Sequence, residues 1–186
     1  MLSRTLSFVF VSVAVWGALA SAPVLAALKP GSTAPPFTTQ ATLGGKEFSF
    51  DLASALAKGP VVLYFYPAAF TSGCTLEAHE FAEATDEYRK LGATVIGVSG
   101  DPIATLDKFS VSECRSKFPV ASDGDHAISR AYDAVLGMGP VTYSDRTSYV
   151  IARDGKIAYA YRSLDPEKHV ANTLAALRAL AATSER

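Results

Sequence analysis

The stretch Val61-Val62-Leu63-Tyr64-Phe65-Tyr66-Pro67 runs through Ala68-Ala69-Phe70-Thr71-Ser72-Gly73 to Cys74 and then into Thr75-Leu76-Glu77. An unbroken β-branched and aromatic run of this kind predicts a strand buried on both faces. Pro67, which lacks a backbone donor, ends it. From Thr75 onward Leu76, Phe81, Ala84, Tyr88 and Leu91 recur at mostly three- and four-residue intervals, the pattern of an amphipathic helix that Gly92 closes. Cys74 therefore lies between the end of a buried strand and the start of a helix.

Working outward, Thr94 to Ser99 reads as the next strand, and Asp101-Pro102 opens a helix through Phe109, with Asp as cap and Pro in the first helical position. Phe118 to Ala121 predicts a short strand and Asp125 to Tyr132 a short helix. Thr147 to Ala152 and Lys156 to Arg162 are strands joined by Arg153-Asp154-Gly155, whose Asp-Gly pair supplies a hairpin turn. Asp165-Pro166 caps a last helix with Val170, Leu174, Leu177 and Leu180 on one face. A parallel crossover half followed by an antiparallel hairpin and a closing helix predicts an α/β thioredoxin-like fold: a central mixed sheet flanked by helices, with insertions.

The chain has 186 residues, 49% of them hydrophobic, and a formal charge of -1 with acidic and basic residues intermixed. One domain is expected, over residues 27–186, and no basic face is offered to nucleic acid or to an anionic membrane. Residues 1–26 read differently: Arg4, an apolar run from Leu6 to Ala20, then small residues at Ala20-Ser21-Ala22 and Val24-Leu25-Ala26. That is the pattern of a secretory signal peptide cleaved after Ala26, with an uncleaved anchor as the rival. The run is short against the roughly 20 residues needed to span a bilayer. The expected location is outside the cytoplasm, in a bacterial periplasm, with no stable membrane contact once the signal is removed.

Cys74 and Cys114 are the two cysteines, and in an exported protein the bland expectation is one structural disulfide. The position of Cys74 points elsewhere. First-turn amides of a helix lack intrahelical partners and point toward its N-terminus, so a thiolate there gains hydrogen bonds and a favourable dipole. Such placement lowers a cysteine pKa from roughly 8.5 toward neutrality or below, and the thiolate is the reactive form. His79, His126 and His169 lack metal-site spacing and read as surface or packing residues, and neither a cofactor nor a phosphate loop is implied.

Pro67, Thr71 and Cys74 at these spacings resemble the active-site signature of the peroxiredoxins, the family of alkyl hydroperoxide reductase and thiol-specific antioxidant proteins. Ala34-Pro35-Pro36-Phe37 resembles the family's N-terminal opening and Arg146-Thr147-Ser148-Tyr149-Val150-Ile151 its arginine-bearing strand, so the resemblance spans roughly residues 30 to 180. It implies a thioredoxin-like fold with peroxiredoxin-type insertions and a thiol-dependent peroxidase acting on hydrogen peroxide and organic hydroperoxides. Cys74 resembles the peroxidatic cysteine and Arg146 the arginine that holds thiolate and peroxide. Thr71 resembles the acceptor of the peroxide OH, and Pro67 a shield against water. Glu77 is implied as the carboxylate that orients Arg146, or serves simply as a first-turn acid.

Cys114, in the polar stretch Ser112-Glu113-Cys114-Arg115 that is expected to be mobile, is the candidate resolving cysteine, similar in region to that of the bacterioferritin comigratory type. A one-cysteine mechanism and an intermolecular bond are the alternatives. The resolving position five residues after the first cysteine is His79 here. A thioredoxin-like protein reductant and a monomer or homodimer are expected. Two rivals on the same fold are a thiol-disulfide oxidoreductase, which needs Cys-x-x-Cys where this chain has Glu77, and an exported redox sensor.

Overall fold

The computed structural model describes residues 27–138 and 141–184, so the expected signal segment at 1–26 lies outside the described residues. The buried run forms β3 (Val61–Phe65), and every side chain from Val61 to Tyr66 is at most 1% exposed. Its side chains alternate across the sheet as the two-residue period of a strand requires. Val62, Tyr64 and Tyr66 enter one core cluster, and Val61, Leu63 and Phe65 enter the other.

Around β3 the sheet is mixed. β4 (Thr94–Ser99) lies parallel to it, reached through α2 (Ser72–Lys90). β5 (Val120–Ser122) lies parallel to β4, reached through α3 (Ile103–Ser112). On the other side β8 (Thr147–Ile151) is antiparallel to β3, and β9 (Ile157–Arg162) turns back antiparallel to β8 through Gly155 at φ 78°. The chain closes with α5 (His169–Ser184). Residues of α2, α3 and α5 fill the cluster on one face of the sheet, and α1 (Leu52–Leu56) with part of α4 (Ala127–Ala131) packs into the other. This is the mixed sheet flanked by helices that the element order implies.

Two hairpins are additional to the elements read from sequence. β1 (Thr38–Leu43) and β2 (Lys46–Asp51) pair about Gly44-Gly45, whose φ values of 58° and 75° suit the tight turn, and β1 extends the sheet by joining β5. β6 (Val135–Met138) and β7 (Val141–Ser144) form a separate ribbon. The seven-stranded order is β2-β1-β5-β4-β3-β8-β9. Among the described residues no helix is long and apolar enough to cross a membrane.

Three local expectations need correction. α2 begins at Ser72 rather than Thr75, and its buried face carries Cys74, Glu77, Ala78, Phe81, Ala82, Thr85 and Tyr88, while Leu76 is 43% exposed. Apolar periodicity misread this face because a carboxylate occupies it. Pro102, not Asp101, caps α3, and the Asp101 carboxylate accepts instead from Ala69 N and Ser99 Oγ, both at 2.7 Å. Cys114, expected on a polar and mobile stretch, is fully buried in the cluster that holds Cys74.

Candidate active site

Cys74 is the third residue of α2 and is 1% exposed. The loop before it is shaped by its own contacts. Asp101 at the end of β4 holds Ala69 N, and Phe70 takes a left-handed backbone (φ 64°) with its half-exposed ring edge-on to Phe109 at 5.2 Å. Thr71 sits at the cap position with its carbonyl accepting from Thr75 N at 2.8 Å. Its hydroxyl donates to Ala68 O at 2.9 Å rather than capping the helix, which leaves the oxygen's lone pairs available. Pro67 follows the strand and is half-buried.

Arg146 reaches the same place from the start of β8. It is 4% exposed, and each arm of its fork has a partner. Nη2 donates to Cys74 Sγ at 3.3 Å, Nη1 to Glu77 Oε2, and Nε to Leu164 O at 3.1 Å. A Cβ at Gly73 would come within 3.2 Å of Nη2, so the small residue leaves room for the guanidinium beside the sulfur. Five donors in a rigid plane suit this post better than an ammonium would. Glu77 is fully buried; burial pushes its carboxyl up to about 8, against the opposing pull of Arg146.

Sequence reading missed one member of the cluster. His169, expected at the surface or in ordinary packing, is fully buried at the start of α5. Its Nδ1 lies 2.8 Å from Ser148 Oγ and 3.6 Å from Glu77 Oε1, and its Nε2 lies 3.0 Å from Ser163 O. Burial lowers its pKa to about 4.

Cys114 stands apart from this polar group. Both cysteines are free thiols, so the disulfide reading does not describe this state. Cys114 follows the C-cap Glu113 of α3 and its thiol is pushed well up by burial first, then by the charge of Glu113. Two side-chain contacts tie its flanks to α2: a hydrogen bond between His79 Nε2 and Glu113 Oε2 at 2.9 Å and an ion pair of Arg115 Nη1 with Glu83 Oε1 at 3.1 Å. Arg115 and Ser116 both have left-handed backbones, at φ 50° and 55°. Of the sequence-predicted site residues, Cys74, Glu77 and Arg146 are brought into direct contact, Pro67 and Thr71 lie in the segment that leads from β3 into α2, and Cys114 is held in the core on a neighbouring element.

The chain is similar to known proteins in both sequence and fold. The family model described as AhpC/TSA family matches residues 30–160. Peroxiredoxin Bcp of Xanthomonas campestris is 32% identical over 156 residues, covering 76% of this chain and 97% of that protein. The chloroplastic peroxiredoxin Q of Oryza sativa subsp. japonica is 34% identical over 151 residues, covering 81% of this chain and 67% of the relative. The crystal structure of peroxidoxin BcpB from Mycobacterium tuberculosis superposes with a TM-score of 0.75 at 32% identity, covering 82% of this chain and 97% of that one. With a thioredoxin-like fold, a cysteine in the first turn of α2 and a family match over most of the folded region, this chain belongs to the AhpC/TSA family and is a peroxiredoxin, a thiol-dependent peroxidase.

Proposed function

We propose that Cys74 is the peroxidatic sulfur and that Arg146, Glu77, Thr71 and Pro67 serve it. The observation that carries this reading is the 3.3 Å contact from Arg146 Nη2 to Cys74 Sγ in a nearly water-free position. The Cys74 thiolate attacks the terminal oxygen of the peroxide. An S–O bond forms, the O–O bond breaks, sulfur is oxidised by two electrons to a sulfenic acid, and the departing alkoxide or hydroxide takes a proton from water. Arg146 spans the region in which negative charge passes from sulfur to the leaving oxygen, and a preorganised donor there lowers the barrier without reorganisation. Thr71 Oγ1, already donating to Ala68 O, accepts from the peroxide OH.

Cys114 is the resolving cysteine in this proposal. Its sulfur displaces the sulfenic oxygen as water, forming the Cys74–Cys114 bond, which an external dithiol protein of thioredoxin type then reopens. A buried thiol with a raised pKa is a poor nucleophile, so the end of α3 must open before this step. The two consecutive left-handed residues after Cys114 support that segment as the one that gives way. The substrates proposed are hydrogen peroxide and organic hydroperoxides. Support for the latter comes from a solved structure of X. campestris bacterioferritin comigratory protein described as giving insight into its alkyl peroxide reduction activity. Residues 1–26 are proposed as an export signal on their sequence pattern, and the reductant accordingly as an exported dithiol protein acting on a monomer or homodimer.

The test is peptide mass mapping after one equivalent of hydrogen peroxide, with a sulfenic-acid trap present. The wild type should yield the Cys74–Cys114 linkage, and Cys114→Ser a trapped sulfenic acid on Cys74. A trapped sulfenic acid on wild-type Cys74 with no disulfide at any time would assign a one-cysteine mechanism instead.

A further inference from the structure

Glu77 is a fully buried carboxyl with one oxygen committed to Arg146 and the other, Oε1, without a hydrogen-bond partner among the described residues. Buried polar atoms are rarely left so. The polar atom facing Oε1 is His169 Nδ1 at 3.6 Å, longer than a hydrogen bond. Because Ser163 O can only accept, the ring nitrogen 3.0 Å from it, Nε2, carries hydrogen. A neutral imidazole then has one lone pair at Nδ1, for which Ser148 Oγ at 2.8 Å and a protonated Glu77 Oε1 at 3.6 Å compete. An ionised Oε1 and a bare Nδ1 repel each other; one proton between them turns the same geometry into a hydrogen bond that a small turn of the carboxyl closes.

We propose that His169 is a positioning residue for the Cys74 site: it shares a single proton with Glu77 between Nδ1 and Oε1, and so holds the carboxyl with Oε2 aimed at Arg146 and Arg146 aimed at the sulfur. This rests on the reading of Cys74 as the peroxidatic sulfur. Charge counting agrees. With Cys74 as thiolate and Arg146 as cation, a Glu77–His169 pair holding one proton leaves the buried group neutral, whereas without that proton it carries an uncompensated negative charge. Burial raises the Glu77 pKa to about 8 and lowers that of His169 to about 4, both of which favour the proton on the carboxyl. The other ionisable groups facing the pair are Arg146 and Asp145 before β8, Asp165 ahead of α5, Cys74, Glu80 and Tyr88 on α2, Tyr64 on β3, and the Tyr161 ring on β9 at 4.8 Å.

Glu77→Gln discriminates sharply, because a glutamine can present its carbonyl to Arg146 and its N–H to His169 Nδ1, as a protonated glutamate does. Glu77→Leu makes neither bond. The readouts are the rate of Cys74 oxidation by hydrogen peroxide and the pH midpoint of Cys74 alkylation in the full chain, with near-UV circular dichroism as the check of fold. Glu77→Gln is expected to keep a rate at least about tenfold above Glu77→Leu, as one retained charge-assisted bond implies. His169→Leu is expected to raise the alkylation midpoint by about one pH unit. Glutamine as damaging as leucine, or a wild-type midpoint in folded His169→Leu, overturns the inference. Should His169→Leu not fold, nitrogen-15 spectra of the wild-type imidazole decide: Nδ1 should shift with the Cys74 titration, and an unmoving signal overturns the proposal. If wild-type Cys74 itself reacts no faster than a free thiol, the reading of Cys74 fails and this inference with it; a fast wild type with unshifted variants removes the inference alone.

Discussion

Arg146 and Cys74, brought together from β8 and α2, meet with Nη2 3.3 Å from Sγ, and both are less than 5% exposed. A cation so placed has little competition from water, and in the proposed reaction it receives the charge that develops on the leaving oxygen. Arg146→Gln should therefore slow the oxidation of Cys74 by peroxide by about 10²–10³-fold, the scale for losing one preorganised donor. Stopped-flow tryptophan-free detection, such as peroxide consumption by the reduced protein, measures it. The same variant deprives the buried Glu77 carboxyl of its donor and should lower stability by about 1–3 kcal/mol, measured by urea unfolding.

Stability should also depend on pH through Glu77. Its folded pKa of about 8 lies above the ordinary carboxyl value, so between the two the folded state holds a proton that the unfolded chain has released. The stabilisation is complete below the unfolded pKa and is lost as pH rises through about 8. His169, lowered to about 4, acts oppositely over the range from about 4 to 6.5, where stability rises with pH. The two offset each other in mild acid, and a fall of about 2 kcal/mol remains between pH 6.5 and 8. Denaturant titrations across that range should show the fall in the wild type and its absence in Glu77→Gln.

The His79–Glu113 and Arg115–Glu83 pairs fasten the segment around Cys114 to α2. Exposed pairs of this kind are worth about 0.2–1 kcal/mol each, so removing one should raise the opening equilibrium by about 1.5- to 5-fold. Glu83→Gln should accelerate formation of the Cys74–Cys114 bond by that factor while leaving the sulfenic acid step untouched. Quenched-flow trapping separates the two steps.

Tight packing over β3 sets a further expectation. A Cβ at Gly97 would lie 2.6 Å from Tyr64 Cζ, in the ring stack of Tyr64, Tyr66 and Phe81. Gly97→Ala should cost about 1–3 kcal/mol through displacement of that ring, seen as a lowered melting temperature.

What could be read in the sequence followed from periodicity and spacing. β3 announced itself because a strand buried on both faces needs no polar alternation, and Cys74 was placed by Pro67 behind it and the helix ahead. Arg146 and Glu77 could be named only by resemblance, since nothing local tells a buried arginine from an exposed one. His169 was invisible for a related reason: a histidine beside an apolar stripe gives no sign that the carboxyl it will face lies on another helix. The burial of Cys114 was masked by Ser112, Glu113 and Arg115, whose polar side chains point outward while the thiol turns into the core. β1 and β2 carried a legible signal in Gly44-Gly45 between alternating residues, but β6 and β7 form a ribbon apart from the sheet and its buried pattern.

The most direct test is rapid mixing of the reduced protein with hydrogen peroxide, comparing wild type, Cys74→Ser and Cys114→Ser by the rate of peroxide loss. Wild type and Cys114→Ser should each consume one equivalent at equal rates far above that of a free thiol, with Cys74→Ser inert. Equal consumption by Cys74→Ser and wild type, or a wild-type rate no greater than that of a free thiol, would contradict the assignment of Cys74 as the peroxidatic sulfur.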